Sequence, residues 1–190
     1  QKYRLEDKLL KTFPEEIQKQ KTRIAALQQD SQIAATHPQD KENFCGMTIK
    51  GMVYDDKKAA GERLLLARQE MPNADMMLLG TYRGFELNIR FDSFKNEHQA
   101  VLRAELSYPV SLGDDARGNI TRLDNAIDNF ADRIADAENA LQNLEQQKQA
   151  AEVEVAKPFA QEEELAEKSA RLAELNALLN ICLLYTSDAA

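Results

Sequence analysis

The residues able to do chemistry are few and scattered. His37 and His98 are the only histidines, and Cys45 and Cys182 the only cysteines, in 190 residues. A nucleophile needs a base beside it, and a metal needs several ligands at set spacing. Neither histidine lies at ligand spacing from a cysteine or a second histidine. The plain reading is two surface histidines and a small buried thiol at Cys45. Asp114-Asp115-Ala116-Arg117-Gly118-Asn119 has the look of a calcium loop, but it lacks the alternating oxygen ligands and closing Glu of an EF-hand. A turn with a helix cap explains it better. No glycine-rich phosphate loop is present, so the sequence predicts no catalytic residue, no metal and no cofactor in this chain.

The best binding candidate is Leu79-Gly80-Thr81-Tyr82-Arg83-Gly84-Phe85. Its two glycines let a backbone approach a ligand closely. Tyr82 offers a stacking face, and Arg83 a fork that pairs with phosphate. Lys50 and Arg90 are the cations expected to help, which makes DNA, weakly bound, the candidate ligand. The competing reading is a tight turn between strands with exposed polar residues. Glu86, Asn88, Arg90, Arg103 and Glu105 mix signs, as a solvated sheet face with cross-strand ion pairs would.

Helices must position these residues. Ile120, Leu123, Ile127, Phe130, Ile134, Ala137, Leu141, Leu144, Lys148, Ala151 and Val155 step by threes and fours, a heptad seam with one charged member. Thr12-Phe13-Pro14-Glu15-Glu16 is a helix start, and Ile17, Gln20, Ile24, Leu27, Ser31 and Ala34 follow at the same steps. Leu10 and Phe13 extend that series backwards, in a separate short helix.

Between the helices, Met47–Tyr54 suggests a strand pair or a bulged strand around Gly51, and Met77–Tyr82 a short strand. Asp55 or Asp56 caps a helix whose Ala60, Leu64, Ala67 and Met71 share a face, and Pro72 ends it. Phe85, Leu87, Ile89 and Phe91 alternate with polar residues, as do Ala100, Leu102, Ala104 and Leu106, with a turn at Lys95-Asn96-Glu97. The fold class expected is α+β: a small antiparallel sheet with one covering helix, inserted in a long antiparallel coiled-coil hairpin. Its parts are a helical arm over 1–36, an α+β domain over 37–118, an unbroken heptad helix over 119–157 broken by Pro158, and a last helix over 158–181. Pairing within one chain is expected over a homodimer.

Charge narrows the partners. The net charge is −8. Residues 1–43 hold eight Lys/Arg and seven Asp/Glu, and residues 44–113 nine of each, but residues 114–190 hold seven and sixteen. The acidic C-terminal helices repel phosphate backbones. Any nucleic-acid contact should therefore come from the first helix or the central portion. No apolar run is long enough to span a bilayer, so no membrane contact is expected. With one cysteine outside the last nine residues, a reducing cytoplasm is the expected setting.

The last nine residues, 182–190 from Cys182 to Ala190, match a translated transposon-end sequencing adapter and are set aside as a scar, expected to be unstructured or frayed. Together with Gln1 in place of Met, they make the chain a piece of a longer polypeptide. Several motifs resemble one known region: Leu79–Phe85, Leu112-Gly113-Asp114, Gly118–Ala126, Lys157-Pro158-Phe159, Gln161–Leu165 and Ala170–Asn180. That region is the C-terminal part of very large proteins of bacterial conjugative elements and plasmids, which join a Swi/Snf-type helicase to an adenine-specific DNA methylase. The resemblance covers residues 1–181. It implies ATP-driven DNA translocation and methyl transfer from S-adenosylmethionine for the large protein, with the remainder of that polypeptide as a partner. None of the motifs for either activity lies in this chain. The expectation is a non-catalytic accessory module positioning DNA or a partner, with a pure protein-interaction or oligomerisation arm as the alternative.

Overall fold

The computed structural model describes residues 2–39, 44–71, 75–157 and 162–187. Pro72 and Pro158, expected to end helices, lie outside them. The chain divides into two compact units, Pro14–Glu145 and a second made of Gln1–Phe13 with Gln146–Ala190.

The larger unit is α+β. Its strands are β1 (Met47–Ile49), β2 (Met52–Tyr54), β3 (Met77–Tyr82), β4 (Phe85–Asp92), β5 (Glu97–Arg103) and β6 (Ser107–Ser111). They form one sheet in the order β2-β1-β3-β4-β5-β6, with every pair antiparallel. The expected pair around Gly51 is a hairpin whose turn residues Lys50 and Gly51 both have positive φ (50° and 79°). That is the turn geometry whose twist matches two-residue hairpins. β6 was not foreseen. It is five residues long and carries Pro109, which a strand tolerates only at an edge, where β6 sits.

Alternation puts Phe85, Leu87, Ile89, Ala100, Leu102, Tyr108 and Val110 on one buried face. More than one helix covers it, which corrects the expectation of a single cover. Ala60, Leu64 and Ala67 come from α3 (Lys57–Gln69), and Ile120, Leu123 and Ile127 from α4 (Ala116–Asp128). Leu27 of α2 (Phe13–Thr36), and Phe130 and Ala137 of α5 (Phe130–Ala156), complete the same core. Asp56 caps α3 by accepting from the Ala59 N–H at 2.8 Å, and Asp115 caps α4 through the N–H groups of Arg117 and Gly118. Gly61 lets these helices touch, because a Cβ there would overlap the Ala116 backbone.

The heptad helix is not continuous. It breaks at Asn129 (φ −92°, ψ 23°), between α4 and α5. Asp and Asn side chains compete for backbone hydrogen bonds, and the sequence places Asp128 and Asn129 there. The break lets Ile127 and Phe130 both enter the core, where Phe130 stacks on Phe85 with ring centroids 5.9 Å apart. Every seam member is buried or half-buried, Lys148 included.

In the smaller unit, α1 (Lys2–Asp7) passes through a π-helical turn (Lys8–Thr12) directly into Phe13, the first residue of α2. The separate short helix expected there is thus continuous with the next. The wider turn, closed by the Phe13 N–H on the Lys8 carbonyl, precedes Pro14, whose ring would clash with a carbonyl of a regular α-turn. The last helix, α6, runs Glu162–Ser187. Residues 182–187 are therefore helical, where a tail either unstructured or frayed was expected. Among the described residues no helix is long and apolar enough to cross a membrane.

Candidate functional site

The β3–β4 hairpin closes through Arg83 and Gly84, with φ of 48° and 81°. A two-residue turn of this type needs positive φ at both positions, which Arg adopts rarely. Gly84 is doubly required. A Cβ there would stand 2.7 Å from Ile33 Cγ2 and 2.8 Å from His37 Nδ1 on the helix end above.

Arg83 is held in its unusual conformation by its own side chain, which is 4% exposed. Its Nε donates to the His37 carbonyl at 3.0 Å. Nη2 pairs with Asp128 at 2.8 Å, and Nη1 stands 3.5 Å from Asp124. Asp124 also accepts from the Tyr82 hydroxyl at 2.5 Å and from Lys57 Nζ at 3.3 Å. One guanidinium thus ties together the C-terminal ends of α2 and α4 and the hairpin between them. Burial, and then the hydrogen bond to Asp124, push the Tyr82 phenol well above its ordinary range, so it stays a neutral donor.

This arrangement differs from the exposed stacking-and-phosphate loop read in the sequence. Tyr82 is 1% exposed, and Phe44 stacks on its ring at 5.9 Å. The segment is the tight turn of the competing reading, but Tyr82 and Arg83 are buried where that reading expected exposed polar residues. The other two candidates lie elsewhere. Lys50 pairs with Glu70 at 2.6 Å on a carboxylate that Arg63 also holds. Those two cations, Arg63 first, pull the Glu70 carboxyl down to about 2. Arg90 projects from the opposite sheet face, with Nε and Nη2 on Gln99 Oε1 at 3.1 and 2.9 Å. Tyr82 and Arg83 are brought together, whereas Lys50 and Arg90 join neither them nor each other.

His37, Cys45 and Arg83 line one cavity of about 390 Å³, with Gly46, Thr48 and Thr81. Cys45 is exposed, which corrects the buried thiol expected. Partial burial of the thiol outweighs Arg83 and raises its pKa, so it is no activated nucleophile. Among the described residues no group of acids, histidines and cysteines is placed to hold a metal. In the Asp114–Asn119 segment Asp114 pairs with Arg68, Asp115 caps α4, and Asn119 exchanges two hydrogen bonds with Gly113.

Three carboxylates that organise this unit escaped the sequence reading. Besides Asp124 and Asp128, Asp30 is fully buried on α2. It accepts from the N–H groups of Glu105 (2.9 Å) and Leu106 (3.0 Å) and from the Tyr108 hydroxyl (2.5 Å). The available signal was an acid three residues after Leu27, at a position that faces inward. Comparison with known proteins finds no matching family model, no similar curated protein and no similar solved structure.

Proposed function

We propose that this chain is a non-catalytic accessory module of a DNA-processing polypeptide, acting in the cytoplasm by holding the rest of that polypeptide through helix contacts. The observation that carries this reading is on α6. Leu165, Leu172, Leu175, Leu178 and Leu179 are 44–62% exposed. Leu165, Leu172, Leu175 and Leu179 step by seven, three and four, an apolar seam that favours a second helix. Two of the cations first considered for DNA are instead neutralised internally, Arg83 by Asp124 and Asp128 and Lys50 by Glu70. The parent context rests on the motif resemblance alone.

The arm belongs to the same reading. An antiparallel hairpin of α2 and α5 is supported by the Lys21–Glu145 ion pair at 3.8 Å and by Leu27 and Ala137 sharing one core.

The test is sedimentation velocity of the chain alone and with the parent polypeptide truncated before Gln1. The chain alone should be monomeric and should form a 1:1 complex. Leu172→Asp with Leu179→Asp should abolish the complex while leaving the thermal melt of the chain unchanged. A stable homodimer dispersed by the same substitutions would replace this reading with self-association.

A further inference from the structure

A groove of about 990 Å³ opens between α2, the β5–β6 turn and the start of α5. Three cations line it: Lys19 and Arg23, one helical turn apart on α2, and Arg133 on α5. Among the described residues none of the three is within 4 Å of a carboxylate, unlike Lys50, Lys57, Arg63, Arg68 and Arg83. Glu105 is the one acid in the lining, since the nearby carboxylate of Asp30 is buried behind Tyr108 and accepts three hydrogen bonds.

One further feature gives the groove chemical character. The Arg133 guanidinium carbon lies 4.8 Å from the centroid of the Tyr108 ring. The half-buried side chain lies over that ring and lines the groove.

We propose that this groove binds single-stranded nucleic acid. Lys19 and Arg23 contact successive phosphates, and a base stacks on Arg133. The class follows from the combination. Unpaired cations select an anion, and a guanidinium packed over an aromatic ring favours a further flat aromatic group. A nucleotide carries both, whereas an acidic side chain offers no aromatic face. The site is independent of α6, so it can fail while the partner reading stands, and the reverse.

Fluorescence anisotropy of the full chain with a labelled 12-nucleotide single strand tests this. Binding should weaken with salt at a log–log slope of about −1.4 to −2.1, for two to three phosphates at ~0.7 each. Lys19→Glu with Arg23→Glu, both on the exposed helix face, should lower affinity at least tenfold without moving the melt. Arg133→Lys keeps the charge but not the plane, and should lower affinity severalfold. Lys95→Ala, on the far hairpin, should change nothing. Absence of binding at 20 mM salt overturns the proposal. So does an unchanged affinity in the double variant, and so does competition by poly-glutamate as effective as that by unlabelled strand, which would assign the groove to an acidic peptide.

Discussion

Arg83 and Asp124 face each other at 3.5 Å beneath the β3–β4 turn, both nearly sealed from water. A buried pair of this kind adds little net stability when intact, because both charges have left water. Removing one partner leaves the other charge uncompensated. Arg83→Ala should therefore destabilise the chain by about 3 kcal/mol, with Lys57 keeping part of the Asp124 charge balanced. Arg83→Lys should recover part of that, losing the hydrogen bond to His37. Chemical denaturation measures both. An Arg83→Ala variant as stable as the parent would show that the turn does not need its guanidinium.

Gly84 and Gly51 have nearly the same positive φ, 81° and 79°, but only Gly84 lies against another element. Gly51→Ala should cost about 1 kcal/mol from backbone strain alone. Gly84→Ala adds a clash with Ile33 and His37 and should cost about 3 kcal/mol, at the upper end for overpacking. Equal losses in the two variants would mean that the C-terminal end of α2 yields freely.

Those contacts mark where the sequence stopped being legible. Periodicity located the helices, because Ile120, Leu123 and Ile127 must share a face to be buried. Alternation likewise located β4 and β5. The same rules could not tell that Tyr82 and Arg83 turn inward. An Arg-Gly turn looks the same from the sequence whether its cation meets solvent or a carboxylate 41 residues further on. Asp30, Asp124 and Asp128 count as solvating charges in any composition, and only tertiary pairing gives them their positions. The break at Asn129 and the short edge strand β6 were likewise decided by packing, around Phe130 and Tyr108.

Glu70 should give the protein an acid-sensitive contact. Arg63 and Lys50 hold its folded-state pKa down to about 2, below the ordinary 4.5. A depressed carboxyl contributes stability that is present above its unfolded pKa and is lost as pH falls through the folded value. The contribution should decline between about pH 4.5 and pH 2. The group is about half exposed, so salt should weaken it. Glu70→Gln should flatten the stability profile over that window and leave it unchanged near pH 7 apart from a constant offset. A profile with the same acid slope in the variant would place the sensitivity on other carboxylates.

Asp30 carries the attachment of α2 to the β5–β6 turn. Asp30→Ala would leave two backbone N–H groups and the Tyr108 hydroxyl without their acceptor. At ~1–3 kcal/mol for each unsatisfied buried donor, and with water entering to rescue some, the loss should reach about 3–5 kcal/mol. Tyr108→Phe removes one donor and keeps the other two hydrogen bonds, so it should cost only about 1 kcal/mol. The double variant should be less destabilised than the sum of the two, because the hydroxyl has no buried acceptor left to lose. The groove beside this attachment gives a second readout. Arg133 rests on the ring of Tyr108 and not on its hydroxyl, so Tyr108→Phe should leave the salt-dependent affinity for a single strand intact. An affinity lost in Tyr108→Phe at unchanged stability would show that the hydroxyl, and not the stacked guanidinium, meets the ligand.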